Sequence, residues 1–224
     1  MLFLRYLQQA DQAVRNGGTS AGLCGREIRS KKVGIIGCGQ IGFMTAKLFQ
    51  AFGAEVYAYA RHEREEVKAA GIAYKPLDDL LRECDIISLH TPNNKETRGM
   101  ISAEKIALMK KSAIFINCAR GPIVDSKALA QALNEGRIAG AAVDVFDCEP
   151  PIPAEEPLLH AKNTLLTPHV AFLSEEAMVR RVGGNTEVQH HLENLGFVPG
   201  STVKVITMMG GNLIVQVKEA RVAI

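Results

Sequence analysis

A glycine-rich turn between an apolar run and a helical pattern constrains this 224-residue chain most strongly. The segment 33–42 carries Gly-x-Gly-x-x-Gly at Gly37, Gly39 and Gly42, and a helical pattern over 43–52 follows at once. In a strand–turn–helix unit, the first glycine permits the turn, the second lets a pyrophosphate approach the backbone, and the third lets helix and strand pack closely. The phosphates then lie at the helix N-terminus, where the helix dipole favours anions. The motif therefore predicts a dinucleotide-binding turn, and a purely structural glycine turn is the alternative.

Short apolar runs alternate with helical patterns through the rest of residues 33–181. Further strands are predicted at 55–59, 85–89, 113–117, 140–145 and 164–167, and helices near 77–83, 102–110 and 126–135. The runs are almost continuously apolar, as expected for parallel strands covered on both faces. The pattern predicts an α/β fold, a doubly wound parallel sheet of the Rossmann type, in which ligands bind beyond the carboxyl ends of the strands.

The two ends of the chain differ from this alternating region. Residues 1–32 begin with a helical pattern of apolar positions at Leu2, Leu4, Tyr6, Leu7, Ala10 and Val14, and continue as a loop. Residues 182–224 contain one helical pattern and then β-like runs that a turn at 209–212 joins as a hairpin, with a further strand starting at Val222. We therefore divide the chain into a linker helix and loop at 1–32, a dinucleotide-binding domain at 33–181, and a β-rich segment at 182–224.

Composition excludes several classes of protein. The net charge of +2 favours neither nucleic acid nor a membrane surface as a partner, and no apolar run reaches the length of a membrane span. The five cysteines have no metal-type spacing, and the adjacent His190 and His191 are poorly placed to chelate, so no metal site is predicted. Scattered cysteines of this kind are typical of a reduced, cytoplasmic protein.

The end of the second predicted strand bears on the choice of cofactor. An acidic residue about 20 positions after the glycines commonly binds the adenine ribose in this fold. Here that position is Ala60, and Arg61 follows it. Loss of the carboxylate removes repulsion against a 2′-phosphate, and an arginine fork can bind one. The sequence thus favours NADP slightly over NAD, and the alternative is that Arg61 is only a solvated surface charge.

Three polar residues of complementary chemistry follow successive apolar strands. Arg120, Glu149 and His169 each come just after a strand end, so they are expected at the same edge as the glycine turn. An arginine can bind a substrate carboxylate, a histidine can transfer a proton near neutral pH, and a carboxylate can orient that histidine. Asp144 is placed to accept a hydrogen bond from a nicotinamide carboxamide. The set predicts hydride transfer to or from a 2-hydroxy or 2-keto acid.

These stretches resemble the NAD-binding domain of the D-isomer-specific 2-hydroxyacid dehydrogenases. The matching segments are 33–42, 88–93, 115–124, 141–150 and 167–171. The resemblance implies Arg120 as the ligand of the substrate carboxylate, His169 as the acid/base and Glu149 as its partner. It also implies a cofactor site formed by Gly37, Gly39, Gln40, Ile41, Gly42, Arg61, Thr91, Pro92, Cys118, Ala119, Asp144 and His169. Members of the family commonly pair through this domain, so a homodimer is expected.

Two further expectations follow from this resemblance and from a second one. Members of the family carry a substrate domain ahead of this one, and we expect the chain to begin within the helix that joins the two. Residues 182–224 are similar to the later part of ferrous iron transport protein A, a small SH3-like protein, through segments 192–200, 210–215 and 220–223. A fusion of unrelated sequences is expected near 181–183.

Three functions remain open on the sequence alone. The first is an NAD(P)-dependent 2-hydroxyacid oxidoreductase, in complete or incomplete form. The second is a non-catalytic dinucleotide-binding module that associates with a partner. The third is an accessory protein of iron transport with an extension derived from a dehydrogenase.

Overall fold

The structure is a computed structural model that describes residues 1–148, 151–171, 176–178, 186–195, 197–198, 201–209, 212–217 and 220–223. It divides the chain into two compact units, Met1–His169 and Val170–Ile224. Each unit is described by itself below.

The first unit is built on a parallel sheet. Its strands among the described residues are β1 (Lys32–Ile36), β2 (Glu55–Tyr59), β3 (Ala73–Tyr74), β4 (Ile86–Leu89), β5 (Ile114–Asn117), β6 (Gly140–Val143) and β7 (Thr164–Leu166). Their order in the sheet is β3-β2-β1-β4-β5-β6-β7, and every pairing is parallel. The chain therefore leaves β1 in one direction to form β2 and β3 and returns to its other side with β4. This reversal beside β1 is the switch point of a doubly wound sheet, and it confirms the predicted fold class.

The helices of the first unit follow their sequence patterns, with differences at their ends. They are α1 (Leu7–Arg15), α2 (Gln40–Ala51), α3 (Glu65–Ala69), α4 (Leu77–Glu83), α5 (Ala103–Ala107) and α6 (Ser126–Asn134), with 3-10 turns at Gly121–Ile123 and Pro157–His160. The expected helix at residue 2 starts only at Leu7, because Tyr6 adopts a left-handed conformation with φ of 50°. Neither α3 nor β3 was predicted, since elements this short show no measurable period. Among the described residues, no helix is long and apolar enough to cross a membrane.

Two apolar clusters cover the faces of this sheet. Neighbouring strand residues belong to different clusters: Ile36, Ile87 and Phe115 to one, and Ile35 and Ile86 to the other. Because successive side chains of a strand point to opposite faces, the sheet is buried on both sides. This arrangement explains why the strand segments are continuously apolar in the sequence.

Asp85 connects the amino-terminal ends of two neighbouring strands. Its carboxylate accepts a hydrogen bond from the backbone N–H of Lys32 at 3.0 Å and pairs with Lys110 Nζ at 3.0 Å. Burial opposes ionisation, but the Lys32 N–H and the Lys110 ammonium outweigh it and hold the pKa of Asp85 below its usual range. Because the folded pKa is lowered, the ionised carboxylate stabilises the fold above the unfolded pKa, and this contribution is lost as pH falls through the folded value.

We expect Asp85→Ala to lower the free energy of unfolding by about 2–3 kcal/mol at pH 7, since two charge-assisted hydrogen bonds are lost. The difference from wild type should shrink at about pH 3, where Asp85 is increasingly protonated in the wild type as well. Urea denaturation at the two pH values measures both quantities. Asp11→Ala, which removes only an exposed pair with Arg15, is the control and should cost less than about 0.5 kcal/mol. An equal loss of unfolding free energy in Asp85→Ala and Asp11→Ala would contradict the stabilising role of Asp85.

The second unit contains an antiparallel sheet and one helix. Its described elements are β8 (Glu176–Met178), α7 (Thr186–Asn194), β9 (Thr202–Met209), β10 (Asn212–Val217) and β11 (Ala220–Ala223), with sheet order β11-β10-β9-β8. Asn212 pairs with Met209, which confirms the predicted hairpin. A small core of Phe197, Val203, Val215 and Val217 lies beneath Leu192 and Leu195. Because β8 pairs with β9, residues 176–178 belong to this unit, which therefore begins earlier than the boundary expected after residue 181.

Candidate functional site

The glycine turn after β1 forms a cradle that side chains would fill. Gly37 has φ of 90°, and a Cβ there would lie 2.6 Å from the backbone N of Thr91. A Cβ on Gly42 would lie 2.2 Å from the carbonyl oxygen of Gly37. Gly39 differs, because a Cβ there would have no atom within 4 Å, and this residue caps α2 without a side-chain hydrogen bond. Because Gly39 has no side chain, the space in front of the N-terminus of α2 is open. Binding of a pyrophosphate at this N-terminus requires such a space.

Beside this cradle lies a cavity of about 480 Å³ at the carboxyl ends of the strands. The loops after β4 and β5 and the first turn of α2 supply its lining residues, Ile41, His90, Thr91, Pro92, Asn93, Cys118, Ala119 and Arg120. All of the predicted site residues of these loops are present in that lining. Its volume lies in the range typical of small-molecule and cofactor sites.

Asn117, the last residue of β5, organises the turn that carries Arg120. Its side chain is buried, accepts a hydrogen bond from the N–H of Ala119 at 3.0 Å and donates one to the carbonyl of Arg120 at 3.1 Å. The guanidinium of Arg120 in turn donates to the carbonyl of Ala119 at 2.7 Å. The backbone carbonyl of Asn117 also accepts from the N–H of Asp144 at 2.9 Å. The arginine turn is therefore tied directly to the end of β6.

Asp144 joins this turn to the segment that carries His169. The Asp144 side chain is 3% exposed and accepts a hydrogen bond from Thr167 Oγ1 at 2.5 Å. His169 has a left-handed backbone with φ of 54°, and its N–H donates to the carbonyls of Asp144 at 2.8 Å and Thr167 at 3.0 Å. Arg120, Asp144 and His169 therefore belong to one hydrogen-bonded assembly across three strand ends.

The cavity holds two titratable groups that are neutral at pH 7. Burial lowers the pKa of His90, whose Nε2 lies 2.9 Å from Ser88 Oγ. Burial, and to a smaller extent the carboxylate of Asp144, raises the pKa of the Cys118 thiol. Both groups therefore add polar surface to the cavity without adding charge. An anion bound in the cavity would be attracted by the positive charge of Arg120 and not by His90 or Cys118.

One predicted site residue, Arg61, lies apart from this assembly, and a second, Glu149, is not described by the structure. Arg61 follows β2, and its guanidinium, about two-thirds exposed, pairs with Glu96 at 2.6 Å. Glu149, the predicted partner of His169, falls outside the described residues, so its position stays a prediction.

Sequence reasoning missed several residues that build the site. Asn117 and Thr167 hold the arginine turn and Asp144, and His90 lines the cavity. A usable signal was present, because Asn117 ends an otherwise apolar strand and Thr167 directly follows another. A polar side chain at such a point must find a partner near the carboxyl edge of the sheet.

The strand order and the glycine cradle define a dinucleotide-binding protein of the Rossmann class. Residues 1–171 match the model of the D-isomer specific 2-hydroxyacid dehydrogenase, NAD binding domain, and residues 173–224 match the FeoA domain. The chain belongs to the D-isomer specific 2-hydroxyacid dehydrogenase family. The predicted resemblances are thus confirmed for both parts of the chain.

Individual relatives support the same assignment. A glyoxylate reductase of Aeropyrum pernix is 44% identical over 168 residues, which cover 75% of this chain and 50% of that protein. A D-lactate dehydrogenase of Aquifex aeolicus, solved with NAD and lactic acid, has a TM-score of 0.73 and 34% identity over 78% of this chain and 57% of its own. An acyclic imino acid reductase in complex with NADPH and D-Arg has a TM-score of 0.70 and 32% identity, covering 77% and 55%. The chain spans about half the length of the curated relatives it matches.

Proposed function

We propose that this protein is an NAD(P)-dependent oxidoreductase that transfers hydride between a nicotinamide cofactor and a small 2-hydroxy or 2-keto acid. One observation carries the proposal: a single hydrogen-bonded assembly joins Arg120, Asp144 and His169 beside a cavity that the glycine cradle borders. The family relationship supports it, because relatives are named as reductases and dehydrogenases of such acids.

Each residue has a distinct role in this proposal. The fork of Arg120 binds the substrate carboxylate and polarises the neighbouring carbonyl. A nicotinamide cofactor bound here would supply or accept the hydride, and Asp144 would accept a hydrogen bond from its carboxamide. In the reductive direction, protonated His169 gives its proton to the carbonyl oxygen, and in the oxidative direction it takes the hydroxyl proton. Glu149 is proposed to orient that imidazole.

The test is a titration of the purified chain with NADH and NADPH, followed by nicotinamide fluorescence, and then an assay of their oxidation with glyoxylate and with pyruvate. Saturable binding with keto-acid-dependent oxidation supports the oxidoreductase. Saturable binding without turnover supports the non-catalytic module instead. Absence of binding for both nucleotides contradicts both functions.

NADP use is proposed on the residues that follow β2. Ala60 replaces the usual acidic residue, and Arg61 provides a guanidinium at the position where a 2′-phosphate would be bound. A relative whose structure contains NADPH supports this proposal.

The five cysteines are free thiols, which supports a reducing location such as the cytoplasm.

A homodimer is proposed on the outward face of α2. Met44, Leu48 and Phe52 follow one another at helical spacing and are each more than half exposed. This stripe contains no ionic group, so an identical stripe of a second copy can pack on it without repulsion between like charges. Burial of three large apolar side chains on each copy supplies the association energy.

We expect Leu48→Glu to convert such a dimer to a monomer, because each copy would place a carboxylate in the apolar contact. Light scattering after gel filtration measures the mass directly. Val14→Glu, at an exposed apolar residue of α1, is the matched control and should leave the mass unchanged. A wild-type protein of 24.3 kDa in solution, or a dimer that tolerates Leu48→Glu, contradicts the interface.

A further inference from the structure

An ion pair joins the loops that follow the two strands flanking β1. Arg61 follows β2, Glu96 lies in the loop after β4, and Nη1 of the arginine is 2.6 Å from Oε2 of the glutamate. Because the glycine turn follows β1 between those strands, the pair connects the loops on either side of that turn. Both side chains are about two-thirds exposed, so a ligand can reach and displace either one.

Both partners are held in place by neighbouring groups. Asn94 Oδ1 accepts hydrogen bonds from the N–H groups of Glu96 at 2.9 Å and Thr97 at 3.1 Å, and Thr97 Oγ1 donates to the carbonyl of Pro92 at 2.6 Å. This capped turn presents Glu96 towards Arg61. On the other side, Arg61 Nε donates to His62 Nε2 at 3.2 Å. The ion pair is therefore a positioned contact between two organised loops.

A second arginine, Arg64, lies three residues after Arg61 and has partners of its own. Arg64 forms an ion pair with Glu66, and its backbone N–H donates to the hydroxyl of Tyr74 at 3.1 Å. Arg61 is the arginine next to the end of β2, so its guanidinium is the donor that we assign to a 2′-phosphate bound there. The carboxylate of Glu96 competes for the same donors.

We propose that Glu96 is a specificity-determining residue that weakens binding of NADP relative to NAD by occupying Arg61. The inference rests on the proposed contact between Arg61 and the 2′-phosphate. Binding of NADP requires the guanidinium to leave Glu96, whereas NAD, which has no 2′-phosphate, leaves the pair intact. A carboxylate and a phosphate close together also repel each other, and this repulsion acts in the same direction.

The test measures dissociation constants of NADPH and NADH by nicotinamide fluorescence for the full chain, Glu96→Gln, Arg61→Gln and the double variant. We expect Glu96→Gln to bind NADPH about fivefold more tightly and to leave NADH unchanged within about twofold, the scale of an exposed ion pair. We expect Arg61→Gln to weaken NADPH binding by a similar factor. In the double variant the gain from Glu96→Gln should disappear, since there is no guanidinium left to release.

The control is Glu135→Gln, which removes a half-exposed carboxylate paired with Arg137 at 2.8 Å and changes the net charge by the same amount. It should leave both constants unchanged. An equal gain in NADPH affinity for Glu96→Gln and Glu135→Gln overturns the inference, as does a gain that survives in the double variant. If Arg61→Gln weakens NADPH binding but Glu96→Gln does nothing, the inference fails while the proposed NADP contact stands. If Arg61→Gln leaves NADPH binding unchanged, both fail.

Discussion

Gly42→Ala is expected to abolish nucleotide binding and to lower the free energy of unfolding by about 1–3 kcal/mol, the usual cost of overpacking. The added Cβ would lie 2.2 Å from the carbonyl oxygen of Gly37 and 3.2 Å from Ile35 Cγ2. The first contact is with backbone, so no side-chain rotation relieves it. Either α2 or the turn must move, and the cradle is lost with that movement. Urea denaturation and NADH titration measure the two effects.

Gly39→Ala separates binding from folding at the same turn. A Cβ at Gly39 meets no atom within 4 Å, so the fold should lose less than about 1 kcal/mol, the cost of a poorer helix cap. The methyl group nevertheless occupies the space through which a pyrophosphate reaches the helix N-terminus, and we expect NADH affinity to fall by about tenfold or more. Unchanged NADH affinity in either variant would show that the turn does not bind the cofactor, and equal stability losses for the two variants would contradict the open space around Gly39.

His169→Asn is expected to reduce keto-acid-dependent NADH oxidation by about 10²- to 10⁴-fold, the usual contribution of an acid/base group. Asparagine is a suitable replacement because His169 has φ of 54°, and asparagine adopts this left-handed conformation more readily than most residues. The backbone N–H keeps its bonds to Asp144 and Thr167, so NADH affinity should remain within about twofold of wild type, a difference of less than ~0.5 kcal/mol.

The matched control is His160→Asn, at a histidine whose Nε2 contacts the carbonyl of Ala154 at 2.7 Å and which lies outside the cavity lining. It should retain full turnover. A His169→Asn protein that oxidises NADH at the wild-type rate would remove His169 from the mechanism. A variant that fails to bind NADH would instead assign His169 a role in holding the site together.

Features that depend on interactions between residues close in sequence were predicted better than features that depend on contacts between distant residues. Strand positions such as 85–89 and 113–117 were predictable because burial on both faces of a parallel sheet demands continuous apolar runs. The helix expected from residue 2 was wrong, because Leu4 packs in the core while Tyr6 breaks the backbone pattern. Apolar spacing alone cannot distinguish a helical face from a chain that inserts one side chain into a core.

The sequence by itself determined the glycine turn, the succession of strands and helices, and the residues that follow each strand, because these depend on local backbone geometry and on burial. Only the tertiary structure decided which of those residues meet. Thr167 contacts Asp144 across 23 positions of the chain, and Arg61 contacts Glu96 across 35. Such contacts depend on the strand order, in which β2, β1 and β4 are neighbours and β6 lies beside β7. The apolar pattern of a strand does not indicate which strands will lie beside it in the sheet.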